Sequence, residues 1–374
     1  MIGKLALEDG TILTGQAFGA TGTQLGEVVF NTAMTGYQEI FTDPSYFGQI
    51  VVMTFPLIGN YGVNPEDVES GRAALSGFVV KEVSEQPSNH RATASLPDYL
   101  REHGIIGLAD VDTRALTRRI RSQGALRGVI STEVMDELAL IELAASSRSL
   151  TGRNLTRDVM CDSVRPWEED RRAPSTEKPL NVVAVDCGIK QNILRRLVDI
   201  GGHVSVVPGR LGADAILAMN PDGILVGNGP GDPAAVTETI HTLKGLVGRA
   251  PVFGVCLGYQ MLALALGAKT YKLKFGHHGA NHPVLNHATG RVEITSQNHG
   301  FAVSADSLAT TGLRATHSNL YDGSLEGFAH EREPIFAVQY HPEAAPGPND
   351  SAYLFDCFAR MMRTQRPMTP DSLR

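Results

Sequence analysis

Cys256 stands in Gly254-Val255-Cys256-Leu257-Gly258, a G-x-C-x-G run between an apolar stretch and a helical one. A cysteine at such a strand–turn–helix joint is the thiol counterpart of the nucleophile elbow. The flanking glycines let strand and helix backbones approach closely, so the side chain projects from the carboxyl edge of a sheet. A thiol at a helix N-terminus is favoured as thiolate by the dipole, and the backbone N–H of Leu257 is placed for a developing oxyanion. The same run also fits a buried apolar cysteine, the commonest fate of a free thiol. By itself it does not separate the two.

Two further segments bear on that choice. Gly227-Asn228-Gly229-Pro230-Gly231-Asp232 follows an apolar strand and opens a helix. It lacks the lysine of a P-loop and the spacing of G-x-G-x-x-G, so a phosphate cradle fits poorly; a second oxyanion donor and substrate-carrying loop fits better. Gln339-Tyr340-His341-Pro342-Glu343 follows the strand expected over Ile335–Val338. A thiol nucleophile needs a base, and the base needs an orienting group. His341 with Glu343 two residues on supplies both, alternate residues of an extended chain projecting to one side. A cysteine elbow, a glycine loop and a His-x-Glu, each at a strand end, together favour a Cys-His-Glu triad.

The elements that must carry these residues are legible in the second half of the chain. Strands are expected over Asn181–Asp186, His203–Pro208, Gly223–Val226 and Pro251–Cys256. Helices are expected over Lys190–Ile200, Ala213–Met219, Ala234–Val247 and Leu257–Leu266. Apolar strands alternating with helices predict βαβ units and a doubly wound, mostly parallel sheet, whose ligand crevice lies at the strand carboxyl ends. Strands resume after Ala268, and Ser351–Arg363 reads as an amphipathic closing helix. The first half reads as a smaller β-rich α/β domain. It has a hairpin of Lys4–Leu7 and Thr11–Thr14, strands at Glu27–Asn31, Ile50–Phe55 and Leu75–Val83, and helices at Leu96–His103, Asp112–Gln123 and Glu133–Ala145. The arginines of the second helix, Arg114, Arg118, Arg119 and Arg121, read as a solvated face. The stretch from Asp162 to Pro179 carries three prolines, dense charge and the single tryptophan. It reads as a linker or a surface arm that holds the domain boundary, giving domains over 1–160 and 180–374 with 161–179 between them.

The 374 residues, 42% hydrophobic and 20% charged, exclude a disordered chain, a collagen-like fibre and a coiled coil. A formal charge of -7 offers no global field for a phosphate backbone, so no nucleic-acid partner is expected. Cys161, Cys187, Cys256 and Cys357 form no C-x-x-C motif and no disulfide framework. The N-terminus carries Lys4, Glu8 and Asp9 where a signal peptide would be apolar. The uncharged stretch from Pro251 to Ala268 is long enough for a membrane span, but it divides into a strand and a short helix, each well under the ~20 helical residues a bilayer requires. A reducing, cytoplasmic location without a membrane partner is expected.

Gly254 to Gln260 as G-x-C-x-G-x-Q, Asn-Gly-Pro-Gly-Asp and His-Pro-Glu resemble the motifs of class I glutamine amidotransferases. Gly26-Glu27-Val28-Val29-Phe30-Asn31-Thr32, Met34-Thr35-Gly36-Tyr37-Gln38-Glu39 and Thr42-Asp43-Pro44-Ser45-Tyr46 narrow this to the small-chain family of carbamoyl-phosphate synthetases. Ala109–Arg114, Lys274–Gly279 and Gln297–Phe301 agree. The resemblance covers essentially the whole chain and implies a flavodoxin-like amidotransferase domain behind an N-terminal domain that docks a partner. It implies Cys256 as nucleophile, His341 as base and acid, and Glu343 as its partner. It also implies glutamine contacts from Ser45, Gly229, Gly231, Leu257, Gln260, Asn298, Gly300 and Phe301, with the site at a domain interface because Ser45 lies in the first half. The implied partners are L-glutamine and a large synthetase chain, as a heterodimer or a higher oligomer of heterodimers. ATP and magnesium are expected on that large chain, which makes carbamoyl phosphate from bicarbonate for pyrimidine and arginine biosynthesis, and no cofactor or metal on this one. Tyr259 and Tyr340 stand where other residues are often found in the family; neither is a catalytic position.

Three other readings compete. His277, His278, His282 and His287 have metal-like spacings, but they lack an H-E-x-x-H helix and have no nearby acidic residue before Glu293. A docking subunit without catalysis is opposed by the intact Cys256, His341 and Glu343. An amidotransferase subunit serving another synthetase, such as that for anthranilate, is opposed by the N-terminal block.

Overall fold

The computed structural model describes residues 1–168 and 178–373. The chain divides into two units. One comprises Met1–Thr151 with Lys274–Gly279; the other comprises Gly152–Leu273 with Ala280–Arg374.

The N-terminal unit is a closed seven-stranded barrel. Around it run Ile2–Leu7, Ile12–Gly19, Ile106–Ala109, Gly77–Val79, Gln49–Met53, Thr23–Asn31 and Leu126–Ser131, the last pairing back with the first. The expected hairpin is present, turning at Gly10 with φ +89°, where glycine avoids the Cβ clash of a left-handed backbone. Period-2 alternation sets the core: Leu5, Leu7, Val28, Phe30, Ile50, Val52, Ile106 and Leu108 form one buried cluster, while Ala6 and Val129 pack against Leu140 and Ala144 of the helix Glu137–Ser146. The helix Thr113–Gln123 starts as expected, with the Asp112 carboxylate accepting from Ala115 N–H at 2.9 Å, and stops at Gly124, φ +108°. Lys274–Gly279 completes this unit. The Lys274 carbonyl accepts from Ala125 N–H, the His278 carbonyl from Thr32 N–H, and Phe275 stacks on Phe30 at 5.7 Å.

The C-terminal unit is built on the expected parallel strands. Gly202–Pro208, Leu180–Asp186, Gly223–Val226, Val252–Val255 and Ile335–Val338 lie side by side in that order, all parallel. In chain order this is 2-1-3-4-5, the flavodoxin-like arrangement. Helices cover both faces. Val182, Ala184, Phe253 and Phe336 pack against Ile193, Leu197, Phe355 and Phe358, while Val183, Val185, Ile224 and Val252 pack against Leu243, Leu246 and Leu262. Phe253 stacks on Phe336 at 4.3 Å and meets Phe355 edge-on at 5.8 Å; full burial of such a ring contributes about 1.5–3 kcal/mol. Antiparallel strands extend the sheet beyond Ile335–Val338, beginning with Leu325–His330.

Two local readings change and one holds. The helix expected over Ala234–Val247 is a 3-10 turn, Pro233–Ala235, followed by a helix Thr237–Leu246; Asp232 caps the turn through Ala234 N–H, and Val236 intervenes outside helical geometry. The uncharged stretch is the strand Val252–Val255 and the helix Leu257–Ala265, and among the described residues no helix is long and apolar enough to cross a membrane. Residues 161–168 of the expected linker pack onto the C-terminal unit: Arg165–Pro166 pairs with Val206 and Ser205, and the Trp167 indole is buried in the core beside Val204. An indole buries too much apolar surface to stay in a solvated connection. Residues 169–177 of that linker lie outside the described residues.

Candidate active site

Cys256 occupies the joint between Val252–Val255 and Leu257–Ala265 with φ 53° and ψ -104°. Such a backbone costs a non-glycine residue about 1–3 kcal/mol and persists only where the surroundings enforce it. Cys256 N–H donates to the Val338 carbonyl at 2.9 Å, and two close approaches surround the turn. A Cβ on Gly258 would lie 2.2 Å from the Val226 carbonyl oxygen, and one on Gly254 would lie 2.6 Å from Leu262, so only glycine lets helix and strands close on the turn. Leu257 heads the helix, where the first backbone N–H groups have no intrahelical acceptor.

The glycine loop lies beside this turn. A Cβ on Gly229 would sit 2.1 Å from the Cys187 carbonyl oxygen and 3.0 Å from the Leu257 side chain, so Gly229 is a close backbone approach beside the elbow. Gly231, φ +95°, bridges Asn154, and Asp232 accepts from Gly152 N–H at 2.9 Å. Asn228 is fully buried and its Oδ1 accepts from Lys190 N–H.

His341 and Glu343 follow Ile335–Val338. His341 N–H donates to the Ser296 carbonyl at 2.9 Å, fixing its backbone against the strand Val292–Val303. His341 Nδ1 and Glu343 Oε1 are 2.6 Å apart, and both side chains are buried, at 2% and 0% exposure. The extended-chain reason expected for this contact does not hold. The chain turns after His341, with Ala344 N–H returning to the His341 carbonyl and Ala344 and Ala345 both at positive φ. The carboxylate reaches the ring across a turn. Burial alone would lower the His341 pKa; the Glu343 carboxylate and then Cys256 overcome it and hold the imidazole protonated well above its ordinary range. Burial alone would raise Glu343, but Lys190 and His341 hold its carboxyl well below the usual carboxylate range. Nδ1 being committed to Glu343, the remaining ring nitrogen is the one left for Cys256.

Cys256 and Gln260 both reach backbone carbonyls of the strand Val292–Val303. Cys256 Sγ donates to the Asn298 carbonyl at 3.5 Å, and Gln260 Nε2 donates to the Phe301 carbonyl at 2.7 Å. Gln260 thus spends its amide hydrogens on the protein. A Cβ on Gly300 would meet nothing within 4 Å, so open space lies there. Ser45 belongs to the N-terminal unit, buried in the 3-10 turn Pro44–Tyr46, with its N–H on the Asp43 carboxylate at 2.8 Å.

Several site residues carry no motif of their own in the sequence. Lys190 is 3% exposed and donates to Glu343 Oε1 at 2.9 Å and to the Ala344 carbonyl at 2.6 Å; Asn192 donates to the Glu343 carbonyl. Gln339 Nε2 lies 3.8 Å from Cys256 Sγ. Lys190 follows Leu180–Asp186, so the carboxyl end of a fourth parallel strand joins the site; that position at the predicted crevice is its only signal. Of the residues weighed as metal ligands, His282 meets Tyr321 edge-on, His287 pairs with Ser318 Oγ, and Glu293 accepts from Asn286 and Tyr353. Tyr259 donates to the Leu325 carbonyl and stacks on Phe328, while Tyr340 is fully buried and edge-on to His317.

Residues 5–130 match the family described as carbamoyl-phosphate synthase small chain, CPSase domain, and residues 183–361 match glutamine amidotransferase class-I. The carbamoyl phosphate synthase small chain of Syntrophotalea carbinolica is 54% identical over 369 residues, covering 97% of this chain and 98% of that one. That of Nostoc sp. is 52% identical over 375 residues, covering 98% and 96%. Among solved structures, a glutamine amidotransferase from Thermotoga maritima aligns with a TM-score of 0.37 at 13% identity, covering 53% of this chain and 89% of that one. The chain belongs to the carbamoyl-phosphate synthase small-chain family.

Proposed function

We propose that this chain is the glutamine-hydrolysing subunit of a cytoplasmic carbamoyl-phosphate synthetase, working with a large synthetase chain that binds ATP and magnesium. The observation that carries the reading is the buried line from Lys190 through Glu343 and His341 to Cys256, at the carboxyl edge of the parallel sheet. The proton shared by Cys256 and His341 resides on the imidazole, which is held protonated, and the thiolate attacks the side-chain amide carbon of glutamine. The tetrahedral oxyanion accepts from the backbone N–H groups of Gly229 and Leu257. His341, as imidazolium, protonates the departing ammonia, leaving a γ-glutamyl thioester. The same histidine then takes a proton from water as it attacks the thioester, releasing glutamate and returning the thiolate.

Roles for the remaining residues follow from chemistry. Glutamine carries an α-ammonium and an α-carboxylate, and Gly231, Asn298, Gly300 and Phe301 offer amide and backbone groups that hold both ends. Gln260 serves the site from behind, its amide hydrogens being spent on Phe301 and Gln339. Pairing the chain with its large partner and replacing Cys256→Ser should abolish glutamine-dependent carbamoyl phosphate synthesis while sparing synthesis from free ammonia. Retained use of glutamine by the Ser variant would overturn the nucleophile assignment.

A further inference from the structure

The hydrogen bonds around Cys256 run in one enforced direction. The Phe301 carbonyl can only accept, so the group 2.7 Å from it must be the NH2 of Gln260. That NH2 also lies 3.0 Å from the Gln339 amide, so Gln339 must present its oxygen there. The other end of the Gln339 amide is therefore its NH2, which stands 3.8 Å from Cys256 Sγ, a normal reach for a sulfur acceptor. Gln339 is fully buried and its N–H is tied to the Glu326 carbonyl. No rotation of either amide preserves the set.

Sγ has a second protein contact of opposite character. The Asn298 carbonyl, 3.5 Å away, can only accept, so it favours the neutral S–H. Once the proton has moved from Sγ to His341, two acceptors face each other across that contact and its attraction is gone. The Gln339 N–H contact strengthens in the same step, because a donor to an anion forms the stronger hydrogen bond. We propose that Gln339 is a further catalytic residue, donating to the Cys256 sulfur as it becomes thiolate, with Gln260 as the positioning residue that sets its amide.

The inference rests on Cys256 being the nucleophile, and it is tested without turnover. The full-length chain is treated with iodoacetamide, and modification of Cys256 is followed by peptide mass, apart from Cys161, Cys187 and Cys357. Gln339→Met should slow alkylation of Cys256 at neutral pH by about three- to tenfold and move the rate–pH curve to higher pH. Gln339→Glu should slow it further through like charge. Gln260→Met leaves Sγ untouched but frees the Gln339 amide to rotate, and should move the curve in the same direction by less. A folded Gln339→Met protein alkylated at the wild-type rate across the neutral and alkaline range would overturn the proposal. So would an unfolded Gln339→Met protein together with an unchanged curve for Gln260→Met. Failure of the nucleophile reading is distinguishable, since it is seen only as glutamine-dependent synthesis surviving in Cys256→Ser.

Discussion

The Lys190 ammonium sits 2.9 Å from Glu343 Oε1, the same oxygen that lies 2.6 Å from His341 Nδ1. One buried carboxylate oxygen therefore serves two cations, and Lys190 also donates to the Ala344 carbonyl that follows the turn. Removing one member of a buried ion pair costs about 3–5 kcal/mol because the remaining charge is left uncompensated. Lys190→Met is expected to lower the urea midpoint by a corresponding amount and to reduce kcat for glutamine at least tenfold. A wild-type kcat in this variant would leave Lys190 a purely structural counter-ion.

The paired pKa shifts define a pH window. Glu343, held low, contributes stability above the ordinary carboxylate range that is lost as pH falls through its lowered pKa. His341, held high, contributes stability below the ordinary imidazole range that is lost as pH rises through its raised pKa. Glu343→Gln removes the largest influence raising His341, so the alkaline limb of kcat/KM against pH should move to lower pH. A limb that stays in place would show that another group titrates there.

His317 sets an acid limit of its own. Burial pushes its pKa down to about 3, with His287 adding in the same direction. The unfolded chain therefore binds a proton that the folded chain refuses, and stability contributed at neutral pH is lost as pH falls from about 6.5 towards about 3, on the order of several kcal/mol in all. Urea midpoints measured over this range should fall less steeply for His317→Leu than for wild type. Parallel curves would place the acid sensitivity elsewhere.

The backbone of Cys256 reverses the usual order of glycine and alanine. At φ 53° and ψ -104° a Cβ is strained, whereas glycine is not. Cys256→Gly is expected to be more stable than Cys256→Ala by about 1 kcal/mol, with both inactive towards glutamine. Thermal melts of the two variants decide it, and alanine melting higher would remove strain from the account of the elbow.

Space around the helix start gives a packing prediction. The hydrogen of Gly258 faces the Val226 carbonyl where a Cβ would come within 2.2 Å. Gly258→Ala should destabilise by about 1–3 kcal/mol and reduce kcat more than its effect on KM, because the helix that carries Leu257 N–H is displaced. A loss confined to KM would place the damage in glutamine binding instead.

What is legible in the sequence follows range of interaction. The parallel strands and their helices come from local periodicity, and the elbow, glycine loop and His-x-Glu are short motifs at strand ends. Lys190 and Glu343 are 153 residues apart, and no local pattern announces that they meet. Gln339 lies inside the run that carries His341, but its task depends on an amide orientation inherited from Phe301 through Gln260. The barrel is legible only in part: Ile106–Ala109 and Leu126–Ser131 are not read as strands, and closure is missed with them, because Ile2–Leu7 and Leu126–Ser131 pair across most of the unit. Trp167 falls in what reads as a solvated connection because the proline and charge around it outweigh one indole.

Lys190, Gly229, Cys256 and His341 leave the sheet from the strands Leu180–Asp186, Gly223–Val226, Val252–Val255 and Ile335–Val338, which are consecutive neighbours in the sheet. Their separation is thereby fixed by strand spacing, a quantity set by backbone hydrogen bonds and indifferent to loop sequence. The opposite rim of the same strands carries none of these groups. It is the side on which loops can lengthen, change charge or acquire new contacts while the distances among Lys190, Gly229, Cys256 and His341 stay as they are.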